Sequence, residues 1–369
     1  MSDKSSTSRR GFVAGALAAP AVLRAQNVSK RVRVAYIGVG NRGSYTMGRT
    51  MEVDGVDIAA ICDLNQQALD KGGAAAQSKG HKPKLFTDYR KLIEQMKDVD
   101  AVVIATPTDQ HLAITLAALE AGKHVYCEKP MAGSVHECDV IEKAARQAKG
   151  IYQCGFQLRH DPGRNAAMKF IHSGEMGRMI YGQGYRHTND LPREITWLFN
   201  AKQSGDNIVE QACHILDLFV WAVGKPPVRA MGSGGINLYK NVPPGRTTMD
   251  NYSVIYEFPN DIRVNFSHIY FDPPGFAGVK ERVYCEKGAI ELPRAAWMKL
   301  GEKPVIELDV PDKGKNADFM SMKAFIENAR DGKKPLNDAA SAKLSTLTAI
   351  LARTAIYEKR IVTWKEIAG

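Results

Sequence analysis

A glycine-rich turn directly after an apolar strand is the feature that most constrains this chain. Residues 31–43 read RVRVAYIGVGNRG, so a β-branched run leads into Gly38, Gly40 and Gly43, with Asn41 and Arg42 inside the turn. The first glycine permits a tight turn, the second lets backbone approach a bulky anion, and the third lets a helix pack closely on the strand. The spacing predicts a βαβ unit whose helix N-terminus binds the pyrophosphate of a dinucleotide.

A carboxylate at the end of the next apolar run indicates which dinucleotide is bound. Asp63 follows DIAAIC and lies 20 residues after Gly43, where an acid accepts hydrogen bonds from a ribose 2′-hydroxyl. The same charge would repel a 2′-phosphate, so we expect NAD and consider NADP disfavoured. Glycine turns alone are common, and the prediction depends on strand, helix and acid occurring together.

Downstream of Asp63, short apolar runs alternate with segments of helical spacing, which is typical of a doubly wound α/β domain. Continuous apolar runs bounded by turns fit parallel strands covered on both faces. We therefore expect a Rossmann domain with a parallel sheet over residues 30–154. The pattern predicts helices over 66–79, 87–96, 110–121 and 135–149, and strands over 100–106, 124–129 and 151–154.

After about residue 155 the pattern becomes typical of a second, α+β domain. Alternating polar and apolar residues predict a hairpin that turns at 259–261. We expect residues 155–369 to form a substrate-binding domain with a large open, mostly antiparallel sheet. Since the exposed face of such a sheet needs covering, a homodimer or homotetramer is expected. Further strands are predicted over 178–186, 282–286, 289–292 and 305–308, and helices over 163–172, 208–223, 317–330 and 338–358.

Residues 1–29 have a composition of their own. Arg9 and Arg10 precede a short apolar stretch from Phe12 to Leu23, which contains the small-residue pattern Ala19-Pro20-Ala21. The segment resembles a twin-arginine export signal and is too short to span a bilayer. The alternative is a disordered basic tail on a cytoplasmic protein. The signal predicts a periplasmic location without stable membrane insertion.

Composition argues against several classes of function. The formal net charge is +10, but residues 1–30 carry five basic residues and one acid, a net +4, which leaves +6. That remainder is scattered and has no basic stripe with interleaved aromatics, so we expect no nucleic-acid partner. The six cysteines contain no CxxC pair and no metal-ligand spacing, and no metal is expected. We expect them to be reduced and buried. The alternative, disulfides formed after export, offers no preferred pairing.

The tripeptide Glu128-Lys129-Pro130 ends a strand of the first domain, at the edge where doubly wound sheets bind ligands. A proline restricts the preceding residue to extended geometry, which would hold Lys129 in a fixed direction. Such a tripeptide is more often a solvated turn. Its position at a strand end favours a site.

Three segments and one residue are informative together: GVGNRG, ATPTDQHLAITLAALEAGKHVYCEKP, NIVEQACHILDLFVWAVG and Asp63. In combination they resemble the Gfo/Idh/MocA oxidoreductase family, which includes glucose-fructose oxidoreductase and inositol dehydrogenase. The resemblance covers residue 31 onward and is most specific over 106–130. It implies a Rossmann domain that binds NAD or NADP, joined to an α/β domain whose open sheet often mediates oligomers. It also implies that the lysine of EKP works with an aspartate and a histidine spaced four residues apart on one helix.

In this sequence the family's lysine matches Lys129 and its histidine matches His214, while Glu210 occupies the acid position. Residues i and i+4 share a helix face, so Glu210 and His214 are expected to point into one cleft. The resemblance implies that His214 is a general base on a substrate hydroxyl. Lys129 would stabilise the charge developing on that oxygen during hydride transfer. Glu210, one methylene longer than aspartate, would position substrate or tune the base.

The resemblance extends to residues with less specific roles. The further candidates for cofactor binding are Thr106, Pro107, His111, Glu128 and Gln157, and those for substrate binding are Arg159, His160, His187 and Trp197. The alternatives are that they are helix caps or surface polar groups or, for Trp197, part of the core.

These residues predict an NAD-dependent oxidoreductase acting on a CH–OH group of a sugar, cyclitol or related polyol. One alternative is an NAD-dependent glycosidase or ketosugar lyase that uses transient oxidation and elimination. The tyrosine-containing motif of the family's glycosidases is not seen here, which favours the dehydrogenase. The other alternative is a nucleotide-dependent sensor that has lost the chemistry, and the presence of both Lys129 and His214 argues against it.

Overall fold

The computed structural model describes residues 31–369, and the predicted export signal at residues 1–29 lies outside that range. Two sheets and the helices around them organise the described residues. The strands are β1 Val32–Ile37, β2 Val56–Cys62, β3 Lys84–Phe86, β4 Ala101–Ile104, β5 His124–Cys127, β6 Tyr152–Cys154, β7 Met179–His187, β8 Arg229–Gly235, β9 Asn251–Phe258, β10 Ile262–Ile269, β11 Gly278–Cys285, β12 Gly288–Glu291, β13 Ala296–Lys299, β14 Ile306–Glu307 and β15 Val362–Thr363. The helices are α1 Asn41–Thr50, α2 Gln66–Ser78, α3 Tyr89–Gln95, α4 His111–Glu120, α5 Val135–Gln147, α6 Pro162–His172, α7 Ala201–Ser204, α8 Asn207–Glu210, α9 Cys213–Val223, α10 Ala317–Asp331, α11 Ala339–Glu358 and α12 Trp364–Ala368.

The first sheet has the strand order β3-β2-β1-β4-β5-β6, and all of its pairs are parallel. Strands such as β4, whose residues are all buried, are covered on both faces, and this explains their continuous apolar sequence. The order reverses direction between β1 and β4, where crevices form at the carboxyl ends of the strands. The predicted doubly wound parallel fold is confirmed.

A helix from near the end of the chain completes the core of this sheet. Met322, Phe325 and Ile326 of α10 belong to the same buried cluster as Val34 of β1. The ring of Phe325 meets that of Tyr126 edge-on, with centroids 5.5 Å apart. Residues almost 300 positions downstream therefore pack on the first strand, a contact that no local pattern indicates.

The second sheet has the order β14-β13-β12-β11-β7-β10-β9-β8-β15. Its strands pair antiparallel except β7 with β10, which are parallel. The predicted hairpin is β9–β10, with Phe258 opposite Ile262. A large, mostly antiparallel sheet in the second half of the chain is thus confirmed.

Helix α9 packs against the inner face of this sheet at unusually close range. A Cβ on Gly182 would lie 2.9 Å from the Phe219 ring, and one on Gly184 would lie 2.8 Å from it. Since side chains alternate along a strand, Arg186 is the next residue after Gly184 on this inner face. Its side chain lies near the beginning of α9, where it contacts Gln211.

The single helix predicted over 208–223 is wrong, because the chain forms two helices there. Helix α8 ends at Glu210, and α9 begins at Cys213. The N–H groups of Gln211 and Ala212 both donate to the carbonyl of Asn207, at 2.8 and 3.1 Å, so the hydrogen-bond ladder slips before α9 restarts. Glu210 and His214 therefore do not share the face of one continuous helix.

All six cysteines are free and buried, as expected. Residues 31–369 contain no helix with both the length and the apolar character that crossing a bilayer requires. Within the same residues, no cluster of three or more His, Cys, Asp or Glu side chains has the arrangement of a metal site.

Candidate active site

The turn between β1 and α1 has the geometry that its glycines predict. Gly38 has a φ of 87°, which favours glycine. A Cβ on Gly43 would lie 2.0 Å from the carbonyl oxygen of Gly38, so α1 begins in contact with the turn. Gly40 has nothing within 4 Å of the position that a Cβ would occupy. The N-terminus of α1, which Asn41 and Arg42 begin, has no side-chain cap and can accept an anion.

Asp63 lies beside this turn, as the spacing predicts. Its Oδ2 accepts a hydrogen bond from the N–H of Val39 at 2.7 Å, and its Oδ1 accepts one from the N–H of Asn65 at 2.8 Å. A carboxylate offers about four acceptor sites, so capacity remains for ribose hydroxyls.

Lys129 and Glu210 form a buried ion pair between the two domains. The Lys129 Nζ donates to Glu210 Oε1 at 2.5 Å and to the Glu210 carbonyl at 2.7 Å, and the Thr108 hydroxyl donates to Oε2 at 3.0 Å. The two side chains are 9% and 8% exposed. Burial opposes the charge on the ammonium, but the charge and the hydrogen bond of Glu210, together with other nearby groups, outweigh burial and raise the pKa of Lys129. Lys129 is therefore a cation and a donor at neutral pH, rather than a base.

His214 presents a neutral imidazole to the same crevice. Burial, followed by the positive charges of Lys129 and Arg186, holds the pKa of His214 well below its ordinary value. Its Nδ1 is buried and has no hydrogen-bond partner among residues 31–369. The ring of Phe156 meets it edge-on at 6.4 Å. A neutral ring with an unpaired nitrogen can accept a proton.

His111 links the two loops that flank the crevice. Its Nδ1 lies 2.9 Å from the Pro130 carbonyl oxygen, and its Nε2 lies 3.1 Å from that of Thr106. Only the doubly protonated ring donates to both carbonyls. Burial opposes that charge, but Cys127, Glu210 and the Pro130 carbonyl together raise the pKa of His111 to about 9. Since both nitrogens bind backbone, His111 positions these loops rather than facing a ligand.

Several predicted cofactor residues have buried polar atoms that the described chain leaves unpartnered. These are Thr106 Oγ1, Glu128 Oε2 and Gln157 Oε1. The other carboxylate oxygen of Glu128 accepts a hydrogen bond from Arg42 Nε at 2.8 Å. Pro107 immediately precedes the 3₁₀ turn Thr108–Gln110. Because buried polar atoms normally have partners, these atoms, the open turn at Gly40 and the acceptor Asp63 fit a bound dinucleotide.

Arg159 is not brought to the crevice. Its Nε and Nη2 donate to the Asp217 carboxylate at 2.9 and 2.6 Å, and the Ser345 hydroxyl donates to the same carboxylate at 2.6 Å. The guanidinium also lies over the ring of Trp221, 5.3 Å from its centroid. Both groups of the pair are buried. Arg159 therefore joins α9 to α11, and this structural role replaces the predicted contact with substrate.

The other three predicted substrate residues are separated from one another. His160 lines a cavity of about 590 Å³ beside α6, with Lys169 and Asp309 among its other residues, and burial lowers the pKa of His160 to about 4. His187 accompanies Ser267 and Tyr185 on the outer face of the sheet, since its position alternates with that of Arg186. Trp197 is half-buried in the 3₁₀ turn Thr196–Phe199.

Sequence reasoning missed Arg186 and Gln211, which lie beside His214. The Arg186 Nη2 donates to Gln211 Oε1 at 3.0 Å, at the turn between α8 and α9. The sequence did contain a signal for Arg186. Gly182, Gly184 and Arg186 are alternate residues and so share one face of a strand, where the two glycines leave room for a packed helix and the third position carries a cation.

A Rossmann crevice closed by a second domain that supplies an acid and a histidine defines a two-domain nucleotide-binding protein. Residues 32–156 match the family model described as the oxidoreductase family with an NAD-binding Rossmann fold, and residues 165–291 match the GFO/IDH/MocA C-terminal domain. Together the matches cover more than half of the 369 residues. The chain belongs to the Gfo/Idh/MocA family, and its first domain is of the NAD-binding type.

Individual relatives carry different names. A Salmonella typhimurium protein named inositol 2-dehydrogenase is 32% identical over 202 residues, which cover 53% of this chain and 55% of that protein. A Shewanella pealeana protein named glycosyl hydrolase family 109 protein is 34% identical over 175 residues, covering 45% and 36%. The chain thus matches about half, or less, of the length of these curated relatives. A structure of levoglucosan dehydrogenase with NADH and levoglucosan has a TM-score of 0.79 at 18% identity and covers 90% of this chain and 99% of that one, which shows a shared fold.

Proposed function

We propose that the chain is an NAD-dependent oxidoreductase that transfers a hydride between the nicotinamide and a hydroxyl carbon of a sugar, cyclitol or related polyol. The observation that carries this proposal is the protonated Lys129, paired with Glu210, beside the neutral His214 at the carboxyl ends of the parallel strands. The relatives named inositol 2-dehydrogenase and levoglucosan dehydrogenase support the substrate class.

The side chains of the crevice would remove the hydroxyl proton and stabilise the charge that develops during hydride transfer. A bound nicotinamide supplies the site that accepts or returns hydride. His214 takes the hydroxyl proton, and Lys129 stabilises the negative charge that develops on the oxygen. An ammonium has three donors, and Glu210 accepts hydrogen bonds from Lys129 with both its carboxylate and its carbonyl, so a donor remains for substrate.

Glu210 acts through Lys129 in this proposal. Its carboxylate is engaged on both oxygens, by Lys129 and by Thr108. The longer side chain that replaces the family's aspartate thus reaches the lysine across the crevice. Glu210 is therefore a positioning residue, which orients the ammonium and maintains its charge.

Turnover of defined substrates tests the proposal. The purified protein is incubated with NAD and a panel of sugars and cyclitols, and NADH absorbance is followed. Net NADH formation with a member of the panel supports the oxidoreductase. Cleavage of a nitrophenyl glycoside without net NADH would instead support the glycosidase, to which the Shewanella relative's name points. Neither reaction, with NADH still bound, would support a sensor.

We also propose that the chain is exported to the periplasm by the twin-arginine route. The support is Arg9-Arg10 before the apolar stretch Phe12 to Leu23. This route carries folded proteins, which suits an enzyme that binds its cofactor before export. Replacing both arginines by lysine should retain the protein in the cytoplasm, as measured by cell fractionation. Unchanged export would contradict the proposal.

We propose in addition that two or four copies of the chain associate through the outer face of the second sheet. Ile255 and Met298 are 39% and 38% exposed, and the Tyr181 and Tyr284 rings lie 5.8 Å apart. Light scattering should give the mass of a dimer or tetramer for the wild type and a smaller mass for Ile255→Lys. A monomeric wild type would contradict this.

A further inference from the structure

Arg186 lies at the wall of the crevice, and no acidic side chain among residues 31–369 forms an ion pair with it. It follows Gly182 and Gly184 on the inner face of β7 and reaches the beginning of α9. Its hydrogen-bond partner there is the neutral side chain of Gln211. No carboxylate among residues 31–369 forms an ion pair with it, and its buried Nε has no hydrogen-bond partner in that range.

The residues next to Arg186 are polar, and they too are unpartnered within the described chain. His268 lies in register with Arg186 on the adjacent strand β10 and is 0% exposed, yet both of its ring nitrogens lack hydrogen bonds. The hydroxyl of Tyr270, two residues further along, also lacks one. Burial, then the charge of Arg186, holds the pKa of His268 well below its ordinary value, so the ring is neutral. A group of buried, unsatisfied polar atoms of this kind indicates a missing polar ligand.

The inner face of the sheet opens to solvent at this end. Val279 pairs with Arg186 from the neighbouring strand β11 and points to the same face, where it is 41% exposed. Glu281 and Val283, further along that face, are buried. After burial and Lys129, the positive charge of Arg186 also lowers the pKa of His214, so the two side chains lie near each other. Arg186 therefore lies on an accessible wall of the crevice that holds His214.

The carboxylates that form ion pairs around the crevice are paired with cations other than Arg186. Glu210 is paired with Lys129, Glu128 with Arg42, and Glu281 with Arg164. A guanidinium matches a carboxylate with two parallel hydrogen bonds. A single carboxylate would balance its one charge, whereas a dianionic phosphate would leave a negative charge beside neutral rings.

We infer that Arg186 binds a carboxylate of the substrate, so that the preferred substrate is an acidic sugar such as a uronic acid rather than a neutral one. The inference rests on the proposed function, because it places the carboxylate at Arg186 while a hydroxyl of the same molecule lies at Lys129 and His214. Gln211 orients the guanidinium without neutralising it.

Matched pairs of sugars test the inference. Glucuronate, galacturonate and mannuronate are each compared with glucose, galactose and mannose, by calorimetric binding to NADH-loaded protein and by NAD reduction. We expect at least one acid to bind more tightly than its neutral partner. Arg186→Gln should raise the KM of that acid roughly 30-fold or more, with a much smaller change in kcat and in the neutral sugar's KM. Arg186→Lys keeps the positive charge but loses the paired N–H donors of the guanidinium. Its KM for the acid should lie between those of the wild type and Arg186→Gln.

The control is Arg146→Gln, which removes an exposed arginine near the end of α5 and should change none of these values. An NADH titration checks that each variant is folded. The inference is overturned if no acid binds the wild type, if each neutral sugar binds as tightly as its acid, if Arg186→Gln leaves the acid's KM unchanged, or if hexose phosphates bind more tightly than uronates. Acid binding that depends on Arg186 without any NAD reduction would overturn the proposed function and leave the inference standing.

Discussion

Lys129 and Glu210 belong to different domains, yet Nζ of one lies 2.5 Å from Oε1 of the other. Lys129 follows β5 of the first sheet, and Glu210 ends α8. Helix α11 contacts both segments: it packs against α8, and its Thr346 accepts a hydrogen bond from the N–H of Met131, two residues beyond Lys129. The pair therefore depends on the packing of the domains as well as on its own chemistry.

Lys129→Met should destabilise the protein by about 3–5 kcal/mol, because it leaves the Glu210 carboxylate buried without its cation. The double variant Lys129→Met/Glu210→Gln removes both charges and should be more stable than Lys129→Met alone. Urea unfolding of Lys129→Met, Glu210→Gln and the double variant measures the coupling free energy between the two side chains. Additive effects would show that the pair contributes nothing as a pair. Both variants that lack Lys129 should lose kcat by at least about 100-fold.

His214→Gln should lower kcat/KM by roughly 10²–10⁴-fold, while NADH binds as in the wild type. Because the folded protein holds the pKa of His214 below its ordinary value, the acid limb of the wild-type pH profile should lie below about pH 6.5. The unfolded chain binds a proton at His214 below that pH and the folded protein does not. Wild-type stability relative to His214→Gln should therefore fall as the pH drops below about 6.5. An acid limb of the pH profile at or above pH 6.5 would contradict the assignment of His214 as the general base.

His111 should stabilise the fold in a way that disappears at high pH. Its folded pKa of about 9 lies above the unfolded value of about 6.5, so its contribution is complete below pH 6.5 and is lost as the pH rises through 9. The difference in unfolding free energy between wild type and His111→Gln should shrink over that interval. His136→Gln, at an exposed position on α5, is the control. A constant difference would indicate that the ring is not charged.

Gly43→Ala should weaken NADH binding and destabilise the fold by about 1–3 kcal/mol, because its Cβ would lie 2.0 Å from the Gly38 carbonyl oxygen. Gly48→Ala, on the same helix but with nothing within 4 Å, should stabilise by roughly 0.5–1 kcal/mol. Thermal unfolding and NADH titration of both variants measure the contrast. Equal effects would show that the close approach of helix and turn does not matter.

Asp63→Asn should shift the preference between cofactors towards NADP. The substitution keeps the size of the side chain and an acceptor for Val39, but removes the charge that repels a 2′-phosphate. The ratio of kcat/KM with NADP to that with NAD should rise. The same substitution at Asp70, exposed on α2, is the control. An unchanged ratio would place the selectivity elsewhere.

Local sequence predicts the first domain well because its signals are local. Gly38 and Gly43 specify the turn, and apolar runs such as β4 indicate strands buried on both faces. Arg159 shows where such reasoning ends. Its side chain is chemically suited to substrate, but Asp217, 58 residues away, pairs with it in the core. The choice between these roles depends on how distant helices pack.

The second domain illustrates two further limits. His187 and Arg186 are adjacent, and which of them faces the crevice is set by the packing of Gly182 and Gly184 under α9. The motif that contains Glu210 and His214 has helical spacing, but the ladder slips at Gln211. The family resemblance still identified Glu210 and His214, because it depends on their positions in the sequence and not on whether one continuous helix carries them.

The packing of α10 on the first sheet has a consequence for biosynthesis. Val34 and its neighbours cannot bury their surface fully until Met322, Phe325 and Ile326 have left the ribosome. All six strands of the dinucleotide domain are translated before these residues, so the core of its sheet is complete only after Ile326 has been made. A fragment that stops at the end of β6 would expose an apolar surface to aggregation.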